Sequence, residues 1–456
     1  MSERLITAAD VPALLAGAEF FSTSAAGEGI DFAGVWLGDI LAHTGPVRLV
    51  AAGDLDPGTV CAAIGGMGST TAMAELPPSG AEPEALARSL EGRCGPLGAV
   101  LPLNAASVNA LFPVAAAALL GLPLIDCDGM GRVFPLIHQT TFELAGLSLA
   151  PMAAVSAGDD SLLLETGSAR AERLARVVAQ SAGGWLLCAL YPTRVGELAG
   201  AAIPGSMSRV LEVGRVLLAH APGRPAWTGG PAWTGGPAHP PGRPGWTDGP
   251  AHPPGRPGWT DGPAHPPGRP GWTDGPPHQP GRPGWTGDPP QPPGPPWETW
   301  EAGAFQEGGP GQRGVVAPHE RLLAELTAVT GASVLGGGRL VEIGPSVRQA
   351  AALFPGNPVG LAVHDHDSGR LIRIEAHNEL ILALSDGSLA AAVPDLLCLL
   401  DRGTLRMTGP GRLTAGDLVD VLVVPAAPLW HTIPGLALGG PGAFGFPLRH
   451  PKEASR

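Results

Sequence analysis

Asp126-Cys127-Asp128-Gly129-Met130-Gly131-Arg132 is the stretch in which side chains capable of chemistry stand closest together. Asp126 and Asp128 can act as general bases if they stand at a pocket mouth, and Gly129 and Gly131 let backbone approach a ligand. A plainer reading of the same residues is a tight turn whose carboxylates satisfy their own backbone, with Arg132 as their ion partner. Cys127 is a poor nucleophile on either reading, because flanking carboxylates raise a thiol pKa and strand alternation points it away from them. A second grouping, Gly65-Gly66-Met67-Gly68-Ser69-Thr70, follows an apolar run and offers N–H groups around Gly66 and Gly68 to a carboxylate or carbonyl oxygen. It lacks the ending of a P-loop and the spacing of a dinucleotide fingerprint, so no cofactor is legible in it. His138 is read as a histidine satisfied near a loop, with a general base as the alternative. His364 and His366 alternate without a third ligand at a compelling spacing, so no metal site is expected.

These residues need scaffolding, and the flanking patterns supply it. Val47–Val50, Val60–Ile64, Ala99–Leu103, Leu122–Ile125, Ser161–Glu165 and Trp185–Leu190 read as strands. Helical spacing is read over 8–21, 82–95, 109–120, from Ser168 on, and from Ser206 through Leu217. Alternating strands and helices predict an α/β N-terminal domain over 8–220 with a largely parallel sheet, and Asp126 and Asp128 would lie beyond a strand's carboxyl end, where such sheets bind ligands. Arg170, Arg173 and Arg176 are read as a solvated helix face. From residue 314 to 448, a helix over 318–330 and strands at 336–343, 359–364, 371–376, 379–384 and 418–425 predict a smaller β-rich C-terminal domain. There Asn378 and Glu379 either close over the first domain's crevice or cap a hairpin.

Residues 221–313 break every pattern. A unit reading PGRPGWTDGPAHP recurs, with Arg243, Arg256, Arg269 and Arg282 each 13 residues apart. Its Pro and Gly density predicts a disordered linker between the domains. The formal net charge of −13 argues against nucleic acid or an anionic membrane as partner and favours a small-molecule substrate. No secretory leader or spanning segment is legible and the five scattered cysteines suggest no disulfide framework, so a cytoplasmic protein is expected, with homo-oligomerisation left open.

Four separated strings, GGMGSTTAMAELPPSG, DxDGMGRxFP, AAIPGSMSRVLEVGR and VPDLLCLLD, occur in an order that resembles the DUF917 family, the S-methyl-thiohydantoin desulfurase-like proteins. The resemblance spans 11–218 and 314–446. It implies hydrolytic removal of a methylthio group from a hydantoin-like ring, with Asp126 or Asp128 as base and N–H groups around Gly66, Gly68 and Gly129 as donors. Asn109, Arg132, Thr140, Asn378 and Glu379 match the pattern as substrate-binding positions. The sequence departs from it where relatives carry glycines and this chain reads STSAAG, and where they carry a glutamate and paired glycines against Asn104, Ala106 and Ser107. The alternative is therefore a catalytically altered or non-catalytic binding protein on the same scaffold.

Overall fold

The computed structural model describes residues 4–22, 30–220, 317–347 and 358–451. All of the 221–313 segment, and the STSAAG loop apart from Ser22, lie outside the described residues, and with them the expectation of a disordered linker.

The N-terminal part is built on an eight-stranded sheet. Its order is Arg4–Ile6, Val47–Val50, Leu124–Ile125, Ala99–Pro102, Val60–Gly68, Trp185–Arg194, Met152–Ser156 and Ser161–Leu164. Val47–Val50, Leu124–Ile125, Ala99–Pro102 and Val60–Gly68 form a continuous parallel block, and antiparallel strands extend it at both edges. The parallel strands are short and almost wholly buried, as a sheet covered on both faces requires. Phe112–Leu120, an Ala-rich helix started by Pro113 and ended by left-handed Gly121, is the crossover that delivers the chain to Leu124.

Helices Val11–Ser22 and Ser206–His220 cross at two glycines. A Cβ on Gly17 would lie 1.8 Å from the Val210 carbonyl oxygen, and one on Gly214 would lie 1.7 Å from that of Ala13. Both obstacles are backbone, so no rotamer change relieves them. Gly214→Ala should lower unfolding free energy by about 3 kcal/mol through overpacking, read from the urea midpoint.

The C-terminal part is an eight-stranded, wholly antiparallel sheet. Its order is Ser388–Ala392, Leu380–Ser385, Leu371–Ala376, Val359–Asp365, Ser333–Pro345, Leu418–Val424, Leu396–Asp401 and Arg406–Thr408. The two parts share apolar cores. Phe20 clusters with Leu400 and Leu422, while Phe134 and Phe142 cluster with Leu382 and Trp430. The Trp430 indole N–H donates to the Met130 carbonyl at 3.0 Å, and its ring lies 4.6 Å from that of Phe134. The described helices on either side of the repeat, Ser206–His220 and Pro318–Thr330, also pack together, with His220 Nε2 2.9 Å from Glu325 Oε1. No helix among the described residues is long and apolar enough to cross a membrane.

Candidate functional site

Val60–Gly68 and Ala99–Pro102 are parallel neighbours, so their carboxyl ends open side by side. A cavity of about 760 Å³ lies there. Its walls are Gly66–Thr71 at and just after the end of the first strand, Leu103–Asn104 and Ser107–Asn109 after the second, Met130 in the DGMG turn and Val133–Pro135 beyond it, and Arg176 and Gln180 on helix Ser168–Ser181. The C-terminal sheet contributes Asn378 and Glu379, from the turn joining Leu371–Ala376 to Leu380–Ser385. The pair makes a hairpin turn, and that turn lines the cavity.

Among the described residues, Glu379 supplies the carboxyl that lines this cavity. It is buried, and loss of hydration pushes its pKa up to about 7, against the pull of the Arg132 charge. Arg176 is the cation. Its guanidinium donates to Glu172 and to the Pro135 carbonyl, and Glu172 in turn accepts the Ile137 N–H at 2.8 Å, so this ion pair fixes one wall. Arg176 is thus not part of a solvated face. Its signal in the sequence was the i,i+4 acid–base pair on the side of the helix that buries Ala171, Ala175 and Ala179.

The glycines answer to packing. A Cβ on Gly66 would meet the Phe112 ring at 2.7 Å, one on Gly129 the Phe142 ring at 2.4 Å, and one on Gly68, whose φ is +122°, the Gly184 carbonyl at 2.3 Å. The Gly66 N–H donates to Asn109 Oδ1, and Asn109 Nδ2 faces the Gly66 carbonyl, so this pair is internally satisfied. Ser69 Oγ caps helix Thr70–Glu75 by accepting the Ala72 N–H at 3.3 Å. Ser107 holds φ +51°, a left-handed conformation that favours glycine. Asn104 is buried, and its Oδ1 has no hydrogen-bond partner among the described residues.

Asp126, Asp128, Gly129, Arg132 and Thr140 do not line this cavity, whereas Gly66, Gly68, Asn109, Asn378 and Glu379 do. Asp128 accepts N–H groups from Ala105 at 2.8 Å and Gly131 at 3.1 Å and the Ser206 hydroxyl at 3.0 Å. One buried carboxylate so holds three chain segments, and burial pushes its pKa up to about 6 although these donors pull it down. Asp126 accepts the N–H and hydroxyl of Ser208. Arg132 turns away from both aspartates to carbonyls of the C-terminal part, Asp395 at 2.8 Å and Leu380 at 3.3 Å, and lies over the Phe134 ring. Thr140 caps helix Thr141–Leu144 and donates to the Tyr191 hydroxyl at 3.1 Å. His138 is half-buried and its Nδ1 has no partner among the described residues, with burial lowering its pKa. Burial drives the Cys127 thiol pKa well up, with Asp128 adding to the shift.

A partly parallel α/β sheet whose strand ends meet a hairpin of a second, antiparallel sheet over one cleft defines a two-part class of protein. Sequence models of the S-Me-THD-like N-terminal domain and C-terminal domain match residues 9–166 and residues 166–226 with 299–452. The chain belongs to this S-Me-THD-like family. The family division falls at residue 166, so its C-terminal model includes strand Trp185–Arg194 of the first sheet. No curated protein matches the chain. Among solved structures, the crystal structure of a protein from Chromobacterium violaceum superposes with a TM-score of 0.57 at 18% identity, covering 93% of this chain and 92% of that one. At that identity the likeness shows a shared fold.

Proposed function

We propose that the protein is a hydrolase of small hydantoin-like rings, with the cavity at the strand ends as its active site and Glu379 as its acid–base group. The carrying observation is a buried carboxyl with a pKa near neutrality in a cleft that also holds Arg176. In the reaction, water adds to the ring carbon bearing the methylthio group as the Glu379 carboxylate takes one of its protons and the C=N π pair moves onto the ring nitrogen, which takes the water's second proton. The C–S bond then breaks, methanethiol leaves with a proton returned by Glu379, and the ring carbon becomes a carbonyl. Arg176 offsets negative charge developing on the ring. Asp126 and Asp128 position the walls rather than react.

A second reading, a binding protein without turnover, is favoured by Asn104, an amide where the family pattern has a glutamate. Mass spectrometry of purified protein with a panel of S-methyl-thiohydantoins and hydantoins, with and without divalent metal, separates the two. Methanethiol release supports the hydrolase, while ligand-induced thermal stabilisation without product supports the second reading. If Asp126→Ala or Asp128→Ala lost turnover with an unchanged melting temperature, that aspartate would replace Glu379 as the base.

A further inference from the structure

Away from the cavity, three distant segments bring metal-ligating atoms to one point. Asp395 lies just before strand Leu396–Asp401, His431 ends the short helix Pro428–His431, and His450 lies near the end of the chain. The Asp395 carboxylate and one ring nitrogen of each histidine all fall within 4.8 Å of one another. His431 Nε2 is 2.8 Å from Asp395 Oδ1, and His450 Nε2 is 3.4 Å from Oδ2. We propose that Asp395, His431 and His450 form a binding site for a divalent transition-metal ion of the zinc class, which ties the C-terminal segment to the β-rich sheet.

The chemistry of the donor set fits such an ion. Two imidazoles and one carboxylate suit zinc and its first-row neighbours, and are too few and too nitrogen-rich for calcium or magnesium. Ligands around 2.0–2.1 Å from a tetrahedral zinc stand roughly 3.4 Å apart, close to the His450 spacing, and the His431 contact needs to open by only about 0.6 Å. The histidine rings have centroids 5.2 Å apart and are tilted by 45°, so they converge without stacking. The carboxylate is oriented from behind by the Ala426 N–H, 2.8 Å from Oδ1, as supporting hydrogen bonds orient ligands in metal sites. Burial shelters the ensemble, His450 being 2% exposed. The Ala392 carbonyl, 3.2 Å from His450 Nε2, borders it. A purely hydrogen-bonded triad is the competing account, and it predicts no metal affinity.

The test uses the full chain, stripped with a chelator and titrated with Zn²⁺ and Co²⁺. One tightly held ion per chain is expected, with visible Co²⁺ ligand-field bands of low coordination number and a raised melting temperature. The His431→Gln, His450→Gln double variant should lose affinity at least about 100-fold. The repeat carries His239, His252, His265 and His278 in both proteins, so equal metal uptake by the double variant would overturn the proposal. His431→Cys guards against misfolding as the cause of loss, because a retained Co²⁺ site then gains a thiolate charge-transfer band. Absence of that band, or an unaltered melting temperature on loading wild-type protein, would likewise overturn it.

Discussion

Glu379→Gln is expected to lower kcat for ring hydrolysis by about 10²–10⁴-fold while leaving ligand affinity within a few-fold, because the amide keeps the shape and loses the proton transfer. Single-turnover kinetics with thermal-shift binding check both halves, and a variant that binds and still turns over at the wild-type rate would remove Glu379 from the chemistry. The pH dependence carries a sign of its own. The Glu379 pKa stands at about 7 in the fold, against an ordinary 4.5, so the folded protein holds a proton that the unfolded chain has released. The resulting stabilisation is fully present below the unfolded value and is lost as pH rises through about 7, a loss of roughly 3 kcal/mol. Asp128, with a pKa of about 6, acts in the same direction. Asp395 opposes them in another window: despite burial, hydrogen bonds from His431 and His450 hold its pKa below the usual range, so its contribution is lost only in stronger acid. Urea midpoints between pH 4.5 and 8 should therefore fall with rising pH in the wild type, and fall less in Glu379→Gln.

Arg132→Ala is expected to cost about 4 kcal/mol of stability, since it strands buried carbonyls that the guanidinium now satisfies. The side chain is 2% exposed and donates to Val133, Leu380 and Asp395 carbonyls, so one residue of the DGMGR turn fastens the α/β part to two segments of the β-rich part. Lysine should not rescue it, because one ammonium cannot reproduce a planar fork. The same change removes the charge that holds the Glu379 pKa down. Where Arg132→Ala folds, the alkaline-going rise in kcat/KM should move to higher pH. An unmoved profile would mean that Arg132 fastens the two parts without tuning the carboxyl.

The division of the chain into alternating strands and helices and then antiparallel strands was legible, because each element carries its own periodicity. Val60–Gly68, Ala99–Pro102 and Leu371–Ala376 emerge close to where apolar runs place them. Helix Ile30–Thr44 escaped that reading: Gly34 and Gly38 interrupt its pattern, although a Cβ at Gly34 would strike Leu15, which explains the first of them. Strand Met152–Ser156, buried along its whole length, shows no alternation to find. In the cavity, Asn378 and Glu379 could be picked out at the turn between two apolar runs, and Asn109 only through the resemblance to the family. The roles of Gly66, Gly68 and Gly129 could not. A glycine making room for Phe112, Gly184 or Phe142 is spelled like one making room for a ligand, and only the fold brings those neighbours up. Likewise, the partners of Asp126 and Asp128 include Ser208 and Ser206, some eighty positions downstream, beyond the reach of any local motif.

The packing of Ser206–His220 on Pro318–Thr330 bears on how this gene can change. The chain leaves the described fold after one of these helices and re-enters it at the other, so the repeat is inserted in the sequence between two helices that pack together. Copying errors that add or drop a thirteen-residue unit leave both helices, the glycine crossing and the cleft untouched. The same slippage between Asp128 and Thr140 would separate a carboxylate from the turn it holds. Length variation can therefore accumulate at this one seam under weak selection, and the regularity of the surviving units is the mark expected of a stretch free to expand.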